Sequence, residues 1–487
     1  MTLHKPHLVN RPYTNATSTV QTDHTTTPIK VLYIITSLAE YNNGKRKTVQ
    51  GSDRFLHQLL PVMIDSVETM VEHPGNLQVD VVLITAYSLR KEREDLIRYR
   101  LPQGVGLQVW DNALPLSYPP PDWSGKNKTD VTRLRPNTRA LARQHRYVVR
   151  DKLEYYDMFV AFEDDMLVRG DHVHHYWQLS REIEKLRAAA PETIEGFDGD
   201  NVDSTRVTKF YGQMTKAQLE RVVPGFVRVE ALINSTDRTA KSKVEFPTDF
   251  DFGVKFGGMR QVDPSICCHV HMVPESLEEQ FPETPALDDL IIWETNIKAF
   301  SLRQFPPGSN FLDWAVLMMG PGKKLQNRDK IGGFWSGRDG AFGDEKRPSG
   351  GEPKLVAQQG GWMATQEQLI RMNNALCLAK FLPPFDNIAG DNDGLDPHNV
   401  EFWSGSYQFF TGAGNHCNMQ RIVSMHPDHF SKHLVYHTAN NKQLQLAQKR
   451  ILRANQLFGQ LNKVKKMAEI VKERTQSAAA SKGDKKD

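Results

Sequence analysis

Short apolar runs alternate with amphipathic segments in the first part of the chain. Three runs are continuously or almost continuously apolar: IKVLYIITSL (Ile29–Leu38), VDVVLITAY (Val79–Tyr87) and MFVAF (Met158–Phe162). Such runs predict parallel strands that are buried on both faces. GLQVWDN (Gly106–Asn112) predicts a further strand between the second and third runs.

The segments between these runs carry helical patterns. After the first run, Ser52 is a suitable cap, and apolar residues follow at helical spacing: Leu56, Leu59, Met63, Val67 and Met70. The charged segment KEREDLIRYRL predicts a second helix, and a long third helix is expected from about Pro136 to Tyr155. This alternation predicts an α/β fold, with a mostly parallel sheet and helices on both faces.

The remainder of the chain is less regular. A segment near Thr365 returns to a helical pattern, and Thr365 with Gln368 fits a capping box. The predicted C-terminal helix is basic and amphipathic, so it can dock onto the domain or self-associate as a coiled coil. We divide the chain into a disordered arm (1–28), an α/β half (29–185), an α+β half (186–442) with a Gly-rich loop (330–354), a C-terminal helix (443–475) and a disordered tail (476–487).

Composition narrows the possible classes of protein. Of the 487 residues, 39% are hydrophobic and 24% are charged, which is typical of a globular protein with a sizeable core. The net charge of +3 is too small to indicate nucleic acid as a partner. No apolar run approaches the roughly 20 residues that cross a bilayer, and residues 1–23 carry no secretory signal. The four cysteines include no CxxC pair and do not predict a disulfide framework.

Three adjacent carboxylates, Glu163, Asp164 and Asp165, directly follow the third apolar run. Like charges repel each other and are costly to desolvate, so a buried strand ending on them needs an explanation. Ligands of parallel α/β sheets bind at the carboxyl ends of strands, and Mg²⁺ or Mn²⁺ prefers oxygen ligands. We therefore predict a metal and nucleotide site, in which alternation separates Asp164 from its two neighbours. A solvated acidic turn is the ordinary alternative.

Other acidic pairs compete for this role. Asp198 with Asp200, and Asp391 with Asp393, lie among Gly and Asn, as surface turns do. The pair in PTDFDFG, Asp249 with Asp251, follows a strand-like segment and is the best alternative metal site.

The order of strands and helices ending in Glu163-Asp164-Asp165 resembles the GT-A fold of nucleotide-sugar glycosyltransferases. The tripeptide is similar to the DxD motif of that superfamily, with Glu in the first place. The resemblance covers roughly Ile29 to Tyr176. It implies that Asp165 is a metal ligand and that Glu163 or Asp164 contacts the ribose or the donor sugar.

The resemblance also implies roles for residues at other strand ends. Thr36 and Ser37, at the end of the first strand, would lie near the nucleotide base, and Asp111 could approach it as well. A late histidine often joins the metal shell of such enzymes, and His437 follows an apolar run at a predicted strand end. A histidine in this setting is also often a core residue.

Arginines mark the helix that is expected before the motif. Four of them share roughly one face: Arg139, Arg143, Arg146 and Arg150. Arginine suits phosphate oxygens, and the resemblance implies that a basic residue here lies near the diphosphate. Arg139, nearest the helix start, is our candidate. The alternative is a solvated face paired with Asp151 and Glu154.

The second half is expected to bind the acceptor. Aromatic residues in 398–410 can stack on sugar rings, and Glu401 lies among them. By the resemblance, Glu401 is the general base of an inverting enzyme and Asp396 is the alternate. Trp362, in the GGW stretch, is a further candidate for the acceptor wall. Core packing is the alternative for these aromatic residues.

These features predict a Mn²⁺- or Mg²⁺-dependent glycosyltransferase. It would move a sugar from a nucleoside-diphosphate sugar to a hydroxyl of a glycan or glycoprotein. A Mg²⁺-dependent phosphohydrolase or nucleotidyltransferase also uses carboxylates at strand ends. A non-catalytic binding protein of this fold is the third possibility. The resemblance favours the Golgi or secretory pathway, although the sequence itself leaves the compartment open.

Overall fold

A computed structural model gives the architecture of the chain. It describes residues 27–40, 54–117, 135–136, 138–192, 216–231, 290–292, 297–301, 314–319, 360–377, 380–383, 417, 419–424, 427–438 and 452–454. Several features predicted above lie outside these residues: Ser52, Glu401, Asp396, the Gly-rich loop, the three alternative acidic pairs, the tail and nearly all of the N-terminal arm.

The described residues form sixteen strands and several helices. The strands are β1 (Ile29–Ser37), β2 (Leu77–Thr85), β3 (Gly106–Trp110), β4 (Leu116–Ser117), β5 (Arg135–Pro136), β6 (Met158–Glu163), β7 (Met166–Leu167), β8 (Val222–Pro224), β9 (Val227–Ala231), β10 (Leu290–Ile292), β11 (Ile297–Ser301), β12 (Trp314–Met319), β13 (Gly361–Thr365), β14 (Gln420–Ser424), β15 (Leu434–His437) and β16 (Leu452–Arg453). The α-helices are α1 (Leu60–Val71), α2 (Lys91–Arg100), α3 (His145–Lys152), α4 (Gly170–Ala189), α5 (Lys216–Leu219), α6 (Gln366–Arg371) and α7 (Pro427–Phe430). Segments of π-helix span Phe55–Leu59 and Met372–Leu376, and 3₁₀ segments span Thr138–Arg143 and Ser431–His433.

The central sheet has the order β13-β6-β1-β2-β3. Its four strands from the first half are parallel, and only β13 runs antiparallel, against β6. The predicted alternation of strand and helix is confirmed, since the three apolar runs and GLQVWDN each form one of these parallel strands. Their carboxyl ends meet at one edge, where Thr36 pairs with Glu163 and Ser37 with Thr85.

Helices cover both faces of this sheet. Alternate residues of β1 enter two separate cores, as Tyr33 and Ile34 do. The first core contains Met63 of α1 and Tyr176 of α4, and the second contains Val148 of α3. A strand buried on both sides in this way explains why its sequence is continuously apolar.

Two further sheets carry most of the described second half. Their orders are β16-β10-β9-β15-β7 and β11-β12-β14-β8. The chain passes from one to the other at Gly225, between β8 and β9. The peptide N–H of Gly225 donates to the Ile422 carbonyl at 2.7 Å, and an added Cβ would lie 2.9 Å from the Arg421 side chain. Because β7 joins β15, the acidic turn after β6 connects the central sheet to the second one.

The long helix predicted before β6 is wrong in its first half. Residues Thr138–Arg143 form a 3₁₀ segment, and α3 spans only His145–Lys152. The peptide N–H of Gln144 donates to the Leu141 carbonyl at 3.0 Å, the tighter bonding of a 3₁₀ turn. Its side-chain amide donates to the Ala113 carbonyl at 2.5 Å, so a tertiary contact holds the junction.

The C-terminal helix prediction is wrong at Leu452 and Arg453. These residues pair antiparallel with Ile292 and Ile291 of β10. Their backbone groups therefore bond across a ladder rather than along a helix, with β10 paired to β9 on its other side. The rest of the predicted helix, 443–475, lies outside the described residues apart from Ala454.

The cysteines also depart from the expectation. Cys377 and Cys417 form a disulfide across 40 residues of sequence. Both pack against the core on the α3 side of the central sheet, so the fold brings them together without any local spacing signal. The adjacent Cys267 and Cys268 lie outside the described residues.

The predicted capping box of α6 is confirmed. The Gln368 N–H donates to Thr365 Oγ1 at 3.2 Å, and the Thr365 N–H donates to Gln368 Oε1 at 3.0 Å.

We expect Thr365→Ala to lower the free energy of unfolding by about 1–2 kcal/mol, because the buried Gln368 N–H loses its acceptor. Urea titration measures this loss. Thr365→Ser keeps the hydroxyl and should unfold like the wild type, whereas equal stability of all three proteins would contradict the prediction.

Candidate functional site

The site lies at the turn between β6 and β7. Strand β6 ends at Glu163, and Asp164 and Asp165 form the turn, so β7 begins at Met166 in the second sheet. The Asp164 N–H donates to the Thr36 carbonyl at 3.1 Å, which attaches the turn to the end of β1. The turn therefore stands at the carboxyl edge of the central sheet, where ligands of α/β proteins bind.

Gly360 supports this turn from the other side. Its φ of +71° is the left-handed conformation that favours glycine, and its carbonyl accepts the Glu163 N–H at 2.8 Å. The next aromatic residue, Trp362, is buried on β13 and donates its indole N–H to His145 at 2.9 Å. The prediction that Trp362 lines an acceptor site is therefore wrong, because this side chain packs in the core.

Asp164 is bonded through both of its carboxylate oxygens. Its side chain is 2% exposed and accepts hydrogen bonds from Ser37 Oγ and Arg54 Nη2, each at 2.5 Å. Ser37 Oγ in turn accepts the Ala39 N–H at 3.0 Å. This arrangement fits a residue that holds the turn and the end of β1 together. It favours Glu163, which is half-buried at the sheet edge, over Asp164 as the predicted contact to sugar or ribose.

Arg54 is a residue of this site that sequence reasoning missed. It directly precedes the π-helical segment before α1, and its guanidinium faces the acidic turn. Burial by itself lowers the pKa of Arg54, but Asp164 and Asp165 outweigh burial and raise that pKa above its ordinary value. The polar segment after the first strand also contains Lys45, Arg46 and Lys47, so no local signal distinguishes Arg54 from these residues.

Asp165 faces away from Asp164, into the second sheet. Its Oδ2 lies 3.2 Å from His437 Nε2, and its peptide carbonyl accepts the Thr438 N–H at 2.8 Å. Its Oδ1 is buried and has no hydrogen-bond partner. Burial raises the pKa of Asp165, but His437, Arg54 and Arg228 outweigh it and hold that pKa below its usual range. The predicted division between Asp164 and Asp165 is therefore present in the fold.

His437 is held from its other side by Glu230. Strands β9 and β15 run parallel, and the Nδ1 of His437 lies 2.6 Å from Glu230 Oε1. Both side chains are almost fully buried, at 3% and 1% exposure. Sequence reasoning missed Glu230, because VRVEA resembles any strand with alternating charges. The structure thus brings together Asp165 and His437, which the sequence proposed as a pair, and adds a third side chain.

The arrangement suits a hard divalent cation in one respect. A buried carboxylate oxygen without a partner is costly, and a cation bound to Asp165 would remove that cost. No group of three or more His, Cys, Asp or Glu side chains in the described part of the chain is arranged as a metal site. Asp165 and His437 therefore offer two ligands, which fits a cation that keeps waters and binds substrate phosphates, as Mg²⁺ does.

Neither protein-family models nor curated proteins match this chain. In the described segments, no helix is long and apolar enough to cross a membrane.

The remaining predicted site residues have mixed outcomes. Asp111 is exposed directly after β3, at the level of Thr85 on the carboxyl edge, about 10 Å from β1 by the spacing of two strands. Thr36 and Ser37 lie at the same edge, and both are buried. Arg139 falls in the 3₁₀ segment, and its side chain is not among those described.

Of the other arginines on this segment, Arg150 follows the alternative of an exposed face paired with Asp151, whereas Arg146 follows neither interpretation. Arg146 is buried and donates to the Phe381 carbonyl at 3.4 Å. Arg150 forms an ion pair with Asp151 at 2.7 Å. These contacts are structural, because both guanidinium groups bind protein groups on the α3 side of the sheet.

Proposed function

We propose that this protein is a metal-dependent glycosyltransferase of GT-A type, which transfers a sugar from a nucleoside-diphosphate sugar to an acceptor hydroxyl. The carrying observation is the buried, unpartnered Oδ1 of Asp165, beside His437 at the carboxyl edge of a parallel sheet. The strand and helix order that leads into the acidic turn supports the same assignment. Arg54 and Asp164 support it further, because their ion pair fixes the turn from inside the fold.

In this proposal, Asp165 and His437 hold Mn²⁺ or Mg²⁺. The cation supplies electrostatic stabilisation of the departing diphosphate when it is bound. Glu163, half-buried at the sheet edge, accepts hydrogen bonds from hydroxyls of the ribose or donor sugar. Thr36, Ser37 and Asp111 form the nucleoside side of the edge. The proposed bases, Glu401 and Asp396, lie outside the described residues.

A two-metal phosphohydrolase or nucleotidyltransferase fits the site less well. Such enzymes place two cations about 3.5–4 Å apart, which requires several free carboxylates. In the acidic turn, Asp164 already binds Ser37 and Arg54 through both oxygens. Asp165 thus remains the one acid of the Asp164–Asp165 pair with an oxygen available to a cation.

The compartment is proposed on two grounds. Glycosyltransferases of this fold often act in the secretory pathway, and the Cys377–Cys417 disulfide is of the kind that persists in oxidising compartments. In the secretory pathway the enzyme would have access to acceptor hydroxyls on glycans or glycoproteins.

The proposal is tested with the purified full chain and a panel of nucleotide sugars plus Mn²⁺. Release of nucleoside diphosphate is measured for each donor, with and without EDTA. We expect turnover of one donor or a few, and loss of that turnover on chelation. Release of inorganic phosphate, or of pyrophosphate from nucleoside triphosphates, would favour the alternative enzymes. If no donor reacts and Mn²⁺ promotes no binding of nucleoside diphosphates, the proposal fails.

A further inference from the structure

We propose that Glu230 is a positioning residue that fixes the tautomer and rotation of His437, so that Nε2 points at the cation site. This inference rests on the proposed metal role of Asp165 and His437. Glu230 contacts His437 at Nδ1, on the opposite side of the imidazole ring from Asp165, so it would act on the cation site through that ring.

The backbone places Glu230 beside His437. Val229 of β9 pairs with Tyr436 of β15 in a parallel ladder, so the next residues along each strand are also neighbours. Glu230 Oε1 lies 2.6 Å from His437 Nδ1, and the Glu230 side chain is 1% exposed. A bond this short between two buried groups restricts rotation of the ring.

Hydrogen-bond chemistry then sets the tautomer. A carboxylate oxygen can only accept, so Nδ1 of His437 carries the proton that it donates to Glu230. In the neutral ring this leaves a lone pair on Nε2, which faces Asp165 Oδ2 at 3.2 Å. Two acceptors that face each other repel unless an electropositive atom lies between them.

In the metal-free protein a second ring proton, which makes His437 and Asp165 an ion pair, would remove this repulsion, and a divalent cation held by both atoms would take the place of that proton. Neighbouring ligands of one small divalent cation lie roughly 3 Å apart, and Asp165 Oδ2 and His437 Nε2, which are 3.2 Å apart, could both hold one. Metal-binding histidines usually donate their second N–H to a carboxylate, which orients the ring and raises its basicity. Glu230 occupies that position relative to His437.

Glu230→Leu is the informative substitution, because leucine has a similar size and cannot accept a hydrogen bond. We expect it to weaken Mn²⁺ binding by about 10–100-fold, measured by calorimetry with Mn²⁺ alone and with saturating nucleoside diphosphates. Glu230→Gln retains a carbonyl acceptor for Nδ1–H and should bind Mn²⁺ more tightly than Glu230→Leu. The matched control is Glu184→Gln, which alters a carboxylate ion-paired with Arg187 on α4 and should leave Mn²⁺ affinity unchanged.

A double-mutant cycle separates positioning from direct ligation. In a His437→Ala background, Glu230→Leu should weaken Mn²⁺ binding no further, since the ring it orients is gone. Ring-nitrogen NMR of the folded wild type and of Glu230→Leu reports the His437 tautomer directly. We expect the Nδ1–H form in the wild type and its loss in the variant, with circular dichroism showing both proteins folded.

The inference is overturned if Glu230→Leu is folded and binds Mn²⁺ as tightly as the wild type. It is also overturned if Glu230→Leu has its full effect without His437, or if the wild type binds no Mn²⁺. Failure of the proposed function looks different. In that case Mn²⁺ binds, the cycle shows coupling of Glu230 to His437, and no nucleotide sugar is turned over.

Discussion

Asp165→Ala should abolish Mn²⁺ binding and lower sugar transfer by about 1,000-fold or more, while the chain remains folded. In the proposed function the metal would stabilise the transition state by several kcal/mol, and each 1.4 kcal/mol is a factor of about ten in rate. Asp165 supplies a buried oxygen that has no hydrogen-bond partner among the described residues. Steady-state rates with the best donor, together with Mn²⁺ calorimetry, measure the two effects on one preparation.

Asp165→Asn sharpens this test. Asparagine keeps the size of the side chain but is neutral, so Mn²⁺ affinity should fall nearly as far as in Asp165→Ala. The control is Asp151→Asn, in which the altered carboxylate is ion-paired with Arg150 away from the site and should leave both readouts unchanged. If Asp165→Ala retains transfer, the metal site lies elsewhere, and Asp249 and Asp251 are the next residues to change.

Arg54→Leu should lower the free energy of unfolding by about 3 kcal/mol. The substitution leaves Asp164 buried with one oxygen uncompensated, and breaking a buried ion pair from one side is strongly destabilising. Asp164 is 2% exposed and Arg54 is 20% exposed, so solvent can replace little of the lost contact. Urea unfolding followed by circular dichroism measures the change at equilibrium.

Two companion variants identify the cause of the Arg54 effect. Asp164→Asn combined with Arg54→Leu removes the uncompensated charge and should recover part of the lost stability. Arg150→Leu removes an arginine from a pair in which both side chains are about one-third exposed, at 35% and 34%, and should cost less than about 0.5 kcal/mol. A similar, small effect for Arg54→Leu and Arg150→Leu would show that the Arg54–Asp164 pair does not hold the turn.

The metal-binding, coupling and stability measurements therefore test different residues of the same site. Asp165 and His437 are tested by metal binding, Glu230 by its coupling to His437, and Arg54 by stability. These readouts separate because Asp164 faces Ser37 and Arg54 whereas Asp165 faces His437. If the acidic residues formed one cluster with a single shared role, the variants would all lose metal binding and stability together.

Local pattern in the sequence was sufficient for the four parallel strands of the central sheet and for the position of the acidic turn, but it did not predict β13. Continuous apolar runs mark strands buried on both faces, and this signal is contained in each strand's own residues, as in β1 and β6. The capping box at Thr365 was likewise readable, since both partners lie within one helical turn. The pairing of Asp165 with His437 came from a resemblance to a family, not from local pattern.

Tertiary structure alone decided which side chains meet at the turn. Glu230 and His437 are 207 residues apart, and Asp165 and His437 are 272 apart. Their contacts depend on β7, β15 and β9 lying side by side, and the pairing of distant strands leaves no mark on either segment separately. The same reason applies to Arg54, to the Cys377–Cys417 disulfide and to the break before α3. Residue pattern along the chain indicates where a carboxylate site can lie, whereas the packing of the second sheet against the turn decides which side chains surround it, because those side chains come from distant strands.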